Sequence, residues 1–277
     1  MLMLSKVMKL SRKMFLLSES VLRHYLDFHI SRASAALSYF LMLTIFPLLI
    51  CLYAMLGSLF PSPGEIRGLM TLFMPEGTVD TLMEFVDYIS DNVSRRMLAL
   101  AIVAMATSSA AGFRIIDKVM FELRGTRRRE KALAFVFSCV FSLVFLAALY
   151  IAALLMATGG RFISYADRYI RFIDVSHNWE WFRFVLLYLL LFVLILGVYR
   201  ITAPRGRRVL FTPGAICASV ALLAVSIIFS WFIGMSARYP IVYGSLASVM
   251  IMLLWLYICG NVLFLGNIIN ISLEKMK

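Results

Sequence analysis

The sequence predicts an all-α membrane protein, namely a polytopic bundle of six transmembrane helices accompanied by interfacial amphipathic helices. The first observation is composition: 62% of the 277 residues are hydrophobic and 15% are charged, against roughly 45–50% and about 25% in an ordinary soluble domain. The second is that six stretches contain no Asp, Glu, Lys or Arg, and about 20 such residues cross a hydrocarbon core of about 30 Å. We therefore expect residues 1–277 to form one six-span membrane domain.

The uncharged stretches set the order and the approximate limits of the spans. The second stretch reaches spanning length only by including Arg114, and the fourth, which is the shortest, only by including Arg183. The other four exceed the required length. We place the spans near residues 35–60, 97–116, 132–157, 182–200, 209–233 and 245–270.

Lys and Arg residues are distributed unequally between the segments that flank the spans. They are more than twice as numerous in the N-terminal segment, in 117–131, in 200–208 and at the C-terminal end as in the alternate segments. Because cytoplasmic loops carry the excess of Lys and Arg, we predict a multi-pass protein of the bacterial inner (plasma) membrane with both termini in the cytoplasm. Topology and anionic lipid headgroups at the cytoplasmic side then account for the net charge of +12, and no nucleic-acid partner is expected.

Three segments outside the spans have an amphipathic pattern. Within 1–32, apolar residues recur every three or four positions, which predicts a cytoplasmic helix that lies along the membrane interface or packs onto the cytoplasmic ends of the bundle. Within 79–93, an apolar stripe opposes four acidic residues, which predicts an acidic helix that caps the outer side. The third stripe lies within 162–172.

The sequence contains no recognisable catalytic or metal-binding motif. The three histidines, His24, His29 and His177, form no ligand cluster with Asp, Glu or Cys, and no glycine-rich phosphate loop occurs. The four cysteines fall inside apolar runs without metal-type spacing, and we expect them to be packing residues. We therefore predict a protein that is not an enzyme and that holds no cofactor and no metal.

Polar residues inside the spans are the candidate functional positions, because polar groups are costly in lipid. Span six contains Asn261, Asn267 and Asn270. Their amides would either form hydrogen bonds to neighbouring helices, as such amides commonly do, or line a hydrated cavity. Both alternatives are open at this point.

Spans one, two and five contribute further candidate positions. Arg114 lies close enough to the cytoplasmic end of span two to snorkel, or it contacts a substrate. Pro47 is expected to bend span one, where Thr44 would bond to a backbone group that the proline leaves free. Small residues in span two, and the pair Gly214 and Ala218 in span five, predict that these two spans are central in the bundle.

Several short motifs occur along the chain in the order found in one family. They are the run from Ala36 to Leu49, Pro213-Gly-Ala215, Tyr243-Gly-Ser-Leu246, Trp255-Leu-Tyr257 and Leu265-Gly266. Through them the chain resembles the YihY/virulence factor BrkB family over nearly its whole length, which implies a six-span bacterial inner-membrane protein and makes Tyr243 and Gly244 candidate site residues. Members were once labelled ribonuclease BN, a label that this sequence does not support. Relatives commonly have a Glu where Ile268 precedes Asn270.

Two classes of function fit these observations. The first is transport or export of an envelope-related amphiphilic or anionic substrate such as a lipid, in a cavity between spans one, two, five and six. The resemblance implies the same class of function, because the family is linked to envelope integrity, serum resistance and possible export or lipid movement. The alternative is a non-transporting scaffold or envelope assembly factor that docks an envelope protein, or a second copy of the chain, on its outer acidic helix or on the basic loop at Arg127–Arg129.

Overall fold

Helices and the turns beside them make up the part of the chain that the computed structural model describes, which is residues 16–56, 67–68, 70–71, 76–92, 94–125, 136, 179–202, 212–234 and 245–275. Within these residues no strand occurs, so the all-α prediction is confirmed for them. The helices are α1 (16–27), α2 (Ile30–Leu56), α3 (Glu76–Asn92), α4 (Arg95–Leu123), α5 (Trp179–Ile201), α6 (Thr212–Gly234) and α7 (Ser245–Lys275).

Four of these helices are long and apolar enough to cross a membrane, and they correspond to predicted spans one, two, five and six. Their apolar parts are Ile30–Cys51, Arg95–Leu123, Thr212–Phe229 and Val249–Lys275. Within α5, the stretch Tyr188–Ile201 is a shorter apolar helical segment. Predicted span three, near 132–157, lies outside the described residues. A count of four candidate spans is therefore established, and the count of six is not.

The limits of α4 differ from the prediction for span two. The helix begins after Ser94, whose side chain accepts a hydrogen bond from the Met97 N–H at 3.2 Å and so caps the first turn. At the other end it continues to Leu123, about two turns beyond the predicted end, and Gly125 follows with a left-handed φ of +61°. The helix therefore extends past the predicted end of span two near residue 116, and the charged residues that follow this position belong to the helix.

The last helix, α7, lies at the centre of the described bundle. It packs against α2, α3, α4 and α6, while α2 also packs along α4 and α5 along α6. Small residues permit these approaches: a Cβ on Gly260 would lie 3.4 Å from Ser34, and Gly266 faces Gly214 across the α6–α7 crossing. Among the described helices, span six rather than spans two and five thus holds the central position.

Both ends of the described chain meet at one end of the bundle, which we call the α1 end. The hydroxyl groups of Ser20 and Ser272 are 3.0 Å apart. Val21, Tyr25 and Phe28 are partly buried against the core that α7 helps to form. Of the two arrangements considered for the N-terminal segment, packing onto the bundle is therefore the one observed for residues 16–27.

The directions of the helices follow from contacts at the α1 end. The chain reaches this end at Arg124, which contacts Glu274. It reaches the same end again where α5 finishes and α6 starts, since Tyr199 contacts α7 and Gly214 contacts Asn270. The chain therefore leaves the described part at the α1 end after α4, and α5 runs toward that end from the opposite one.

The acidic amphipathic helix is present as α3. Val79, Leu82 and Val86 of its apolar stripe are buried, whereas Asp80, Glu84 and Asp87 are exposed. Phe85 packs edge-to-face on Phe46 of α2 with ring centroids 5.0 Å apart, so α3 covers the bundle beside α2. The third predicted amphipathic stripe, within 162–172, lies outside the described residues.

Candidate functional site

A buried arginine lies at the α1 end, where α4 meets α7. The side chain of Arg124 is 7% exposed, and its Nη1 lies 3.3 Å from Oε2 of Glu274. Its Nη2 donates a hydrogen bond to Oδ1 of Asn267 at 3.2 Å. Burial lowers the pKa of Arg124, and the Glu274 carboxylate opposes that shift. The guanidinium nevertheless stays charged, so the two α7 side chains hold a fixed positive charge between helices.

The amide of Asn267 joins α7 to α4. Its side chain is 1% exposed. Besides accepting from Arg124, it places Nδ2 at 2.8 Å from Sδ of Met120. Asn267 therefore orients Arg124 while its own polar atoms are engaged in contacts between helices.

The side chain of Asn270 caps the start of α6. Its Oδ1 accepts a hydrogen bond from the backbone N–H of Gly214 at 2.6 Å, and both residues are buried. Gly214 lies in the first turn of α6, where backbone N–H groups have no partner within the helix. Asn270 thus supplies from α7 the acceptor that side chains usually supply locally.

Asn261 fixes α1 to α7. Its Oδ1 accepts a hydrogen bond from the Tyr25 hydroxyl at 2.9 Å, and its Nδ2 donates to the Tyr257 carbonyl at 2.8 Å. Burial raises the pKa of Tyr25, and the neighbouring Tyr257 raises it further, so the phenol keeps the proton that it donates. All three span-six asparagines therefore form hydrogen bonds to neighbouring helices, which is the first of the two alternatives considered for them.

A cleft of about 460 Å³ opens beside Arg124, and we call it the α1 cleft. The Nζ of Lys275 lies 3.1 Å from Nε2 of His24, whose Nδ1 lies 2.6 Å from the Ser20 carbonyl oxygen. Since a carbonyl only accepts, these partners assign the proton to Nδ1, and Nε2 accepts from Lys275. The cleft is lined by His24 of α1 and Phe28 in the turn after it, by residues 122–125 at the end of α4, and by Ile271, Glu274 and Lys275 of α7.

Asp117 is a buried carboxylate that the sequence analysis missed. Its side chain is 2% exposed, although the residue stands one position past the predicted end of span two. Spacings of three and four place Asp117, Met120 and Arg124 on one face of α4. That spacing was the available signal, and it would have identified both charged residues as facing the bundle.

The other predicted candidates lie away from the α1 cleft. Arg114 is exposed on the outer face of α4, and Pro47 is partly buried in α2, which remains helical on both sides of it. Thr44 donates to the Phe40 carbonyl at 2.7 Å and lies 3.0 Å from the Ser108 hydroxyl. The expectation that Thr44 bonds to the carbonyl freed by Pro47 is therefore wrong, because that carbonyl belongs to Leu43. Tyr243 and Gly244 lie outside the described residues.

The part of the chain that the structure describes contains no group of three or more His, Cys, Asp or Glu side chains arranged to hold a metal ion. The acids of the α1 cleft, Glu122 and Glu274, lie beside basic residues instead. The arrangement can therefore hold a charged group by ion pairing and hydrogen bonding.

Comparison with known proteins gives the chain its relatives. The family model for Virulence factor BrkB matches residues 21–277. The ribonuclease-like protein YfkH of Bacillus subtilis (strain 168) is 25% identical over 247 residues, which are 88% of this chain and 90% of that protein. A UPF0761 membrane protein of Actinobacillus pleuropneumoniae serotype 5b (strain L20) is 24% identical over 96% of both chains.

A second UPF0761 membrane protein, from Glaesserella parasuis serovar 5 (strain SH0165), is 25% identical over 72% of this chain and 69% of its own length. No solved structure matches. The two UPF0761 relatives are named as membrane proteins, in agreement with the four candidate spans. The family match covers all the described helices except the first residues of α1. The chain belongs to the virulence factor BrkB family of membrane proteins.

Proposed function

We propose that this membrane protein transports or exports an envelope-related amphiphile, such as a lipid, across the bacterial inner membrane. The observation that carries the proposal is the α1 cleft, a polar opening at the end of apolar helices with the buried Arg124 in its wall. Burying a charge at the end of a membrane span is costly, and such residues commonly mark a substrate path. The headgroup enters this cleft, while the apolar chains remain beside the apolar surfaces of the helices.

The proposed topology has six spans with both termini in the cytoplasm. Two observations support it: the described ends lie together at the α1 end, and α4 finishes at that end while α5 starts at the other. An odd number of crossings must join them, which the predicted span near 132–157 supplies. The α1 end then faces the cytoplasm, where the excess of Lys and Arg predicts it.

Reconstitution in liposomes with labelled lipids tests the proposal. Wild-type protein is expected to move labelled lipid between leaflets, and the double variant Arg124→Gln/Glu274→Gln to do so about tenfold more slowly or worse, a loss of about 1.4 kcal/mol in transition-state stabilisation. The double change is preferable to either single one, because it leaves no unpaired buried charge. The matched control is Arg23→Gln/Glu19→Gln, which removes an exposed ion pair on α1. Rates equal to those of protein-free vesicles would end the proposal.

The proposal assigns no catalytic role to the chain. The ribonuclease-like name belongs to a relative with 25% identity, and the two acids that line the α1 cleft are paired with bases. Purified protein is expected to leave labelled RNA intact. RNA cleavage that disappears in a point variant and survives removal of contaminants would contradict this part of the proposal.

A scaffold is the second candidate, and one observation favours it. The three span-six asparagines all bond between helices, which is typical of a static bundle, and α3 presents exposed Asp80, Glu84 and Asp87 to a docking partner. Crosslinking and co-purification discriminate the two functions. A stoichiometric envelope-protein partner, together with no lipid translocation, would favour the scaffold.

A further inference from the structure

The α1 cleft carries charges of both signs, although the chain has a net charge of +12. Arg124 and Lys275 contribute two positive charges, and Glu122 and Glu274 contribute two negative ones. In addition, α4 and α7 both end at the cleft, and each helix C-terminus has the effect of about half a negative charge. A purely anionic headgroup would therefore enter a site whose fixed charges do not favour it.

The positive and negative groups of the cleft are held in different ways. Arg124 is buried and fixed by Asn267 and Glu274, and the Lys275 ammonium is held at His24. The Glu122 side chain is 48% exposed, and its carboxylate lies 3.8 Å from Lys118, an extended contact for an ion pair. The bases are thus oriented in advance, and an acid stands at the open side of the cleft.

We propose that the α1 cleft binds a headgroup that carries both a phosphate and a primary ammonium group, an inference that rests on the proposed function and names its substrate class. The phosphate accepts hydrogen bonds from Lys275 and Arg124, and the ammonium donates to Glu122 and Glu274. Such charge-assisted hydrogen bonds are the strong ones. A headgroup with a phosphate alone would leave both carboxylates beside an anion.

Two further properties of the cleft agree with this ligand class. Its volume of about 460 Å³ lies within the range of about 300–1,000 Å³ that is usual for ligand pockets. A quaternary ammonium has no N–H to donate to a carboxylate and is typically bound by a cage of several aromatic rings, whereas the described lining contains a single phenyl ring, that of Phe28, stacked on the His24 imidazole. A primary ammonium is therefore the better match.

Binding to the full-length protein in detergent tests the inference without any transport step. Titration calorimetry would compare dioctanoyl phosphatidylethanolamine with the glycerol and choline analogues of the same chain length. We expect the ethanolamine lipid to bind about tenfold more tightly than either analogue, which corresponds to about 1.4 kcal/mol. Equal affinities for the ethanolamine and glycerol lipids would overturn the inference.

Single substitutions separate the two halves of the site. Glu122→Gln is expected to reduce the preference for ethanolamine over glycerol to about twofold or less, because the ammonium loses a charged acceptor. Lys275→Gln is expected to weaken the binding of all three lipids. Glu19→Gln removes an exposed acid of α1 that is not part of the cleft lining and is expected to leave the preference unchanged. A full ethanolamine preference in Glu122→Gln would overturn the assignment of the ammonium.

Two soluble probes identify the source of the ligand. If free phosphoethanolamine binds and its binding depends on Glu122 and Lys275 in the same way, the site takes a soluble ligand. If only the lipid binds, the ligand of the site is a lipid. Binding of inorganic phosphate as tight as that of phosphoethanolamine would overturn the inference. Selective binding without translocation would sink the proposed function alone, and translocation without headgroup preference would sink this inference alone.

Discussion

At the scale of single residues, two glycines set how closely α6 and α7 approach each other. A Cβ on Gly214 would lie 1.9 Å from the Gly266 carbonyl oxygen, and one on Gly266 would lie 2.4 Å from the Tyr199 hydroxyl oxygen. Atoms at these distances overlap, and all three atoms nearest to a Cβ on Gly214 belong either to the Gly266 backbone or to the buried Asn270 amide. The crossing therefore requires glycine because of space rather than backbone conformation.

Gly214→Ala is accordingly expected to destabilise the protein by about 1–3 kcal/mol or more, the usual effect of overpacking. Gly197→Ala is the matched control, because a Cβ on Gly197 meets nothing within 4 Å of the described atoms and alanine has the higher helix propensity. Thermal unfolding in detergent measures both. A Gly214→Ala protein as stable as wild type would contradict the close crossing.

Asn270→Leu tests the cap on α6. The substitution removes the acceptor of the Gly214 N–H and leaves that buried donor without it, which is expected to cost about 1–3 kcal/mol. The comparison is Asn261→Leu, whose side chain is only partly buried and which is expected to cost less. Equal unfolding temperatures for wild type and Asn270→Leu would exclude the cap as a source of stability.

The residue scale also shows what the sequence could and could not predict. Hydrogen bonding by the span-six asparagines was foreseen as one alternative, because an amide in an apolar helix needs a partner. Arg124 was missed because it follows an apparent span end and counted only as one of the cytoplasmic charges. Its role depends on Glu274 and Asn267, and no rule of spacing brings residues so distant in the sequence together.

At the scale of elements, α1 is the helix whose placement the sequence left open. Its inner face contacts α7 through Ser20 and Tyr25, whereas Leu22 and Leu26 on its outer face are each 60% exposed. The amphipathic pattern alone predicts a helix that lies either along the membrane interface or on the end of the bundle. The polar partners on α7 decide between the two.

A disulfide tests the docking of α1. In a background without the native cysteines, Ser20→Cys/Ser272→Cys is expected to form a cross-link on mild oxidation, because the two hydroxyl oxygens are 3.0 Å apart and a disulfide needs adjacent β-carbons. Leu22→Cys/Ser272→Cys is the control, since Leu22 lies on the exposed face. Thiol labelling before and after reduction measures the yield. Equal yields in the two variants would show that α1 is not held against α7.

The amphipathic helix α3 was predicted more fully than α4. In α3 the charged and apolar residues alternate at helical spacing, so the sequence itself separates the buried face from the exposed one. In α4 the charged residues beyond the predicted end of span two differ in burial, because Asp117 is buried while Lys118 and Glu122 are exposed. A charged residue therefore does not by itself mark the end of a helix, because its side chain can be buried against neighbouring helices, as that of Asp117 is.

At the scale of the whole molecule, the direction of the helices makes a prediction about the chain between them. In the proposed topology, the segment that joins the end of α4 to the start of α5 at the opposite end of the bundle crosses the membrane once, near residues 132–157. Arg128→Cys is therefore expected to react with an impermeant maleimide only from the cytoplasmic side, and Arg171→Cys only from outside. Intact cells and inverted vesicles provide the two measurements. Labelling of both residues from one side would contradict the proposed topology.

The central position of α7 has a consequence for biosynthesis. Ribosomes deliver this helix after α1 to α6, yet it carries the amide that completes the first turn of α6 and the groups that receive α1. The earlier helices consequently enter the bilayer with unfilled contacts until α7 follows them. A nascent chain that stalls before Asn270 is thus expected to be recognised by membrane proteases as unfinished, whereas the arrival of α7 closes the described bundle in one late step.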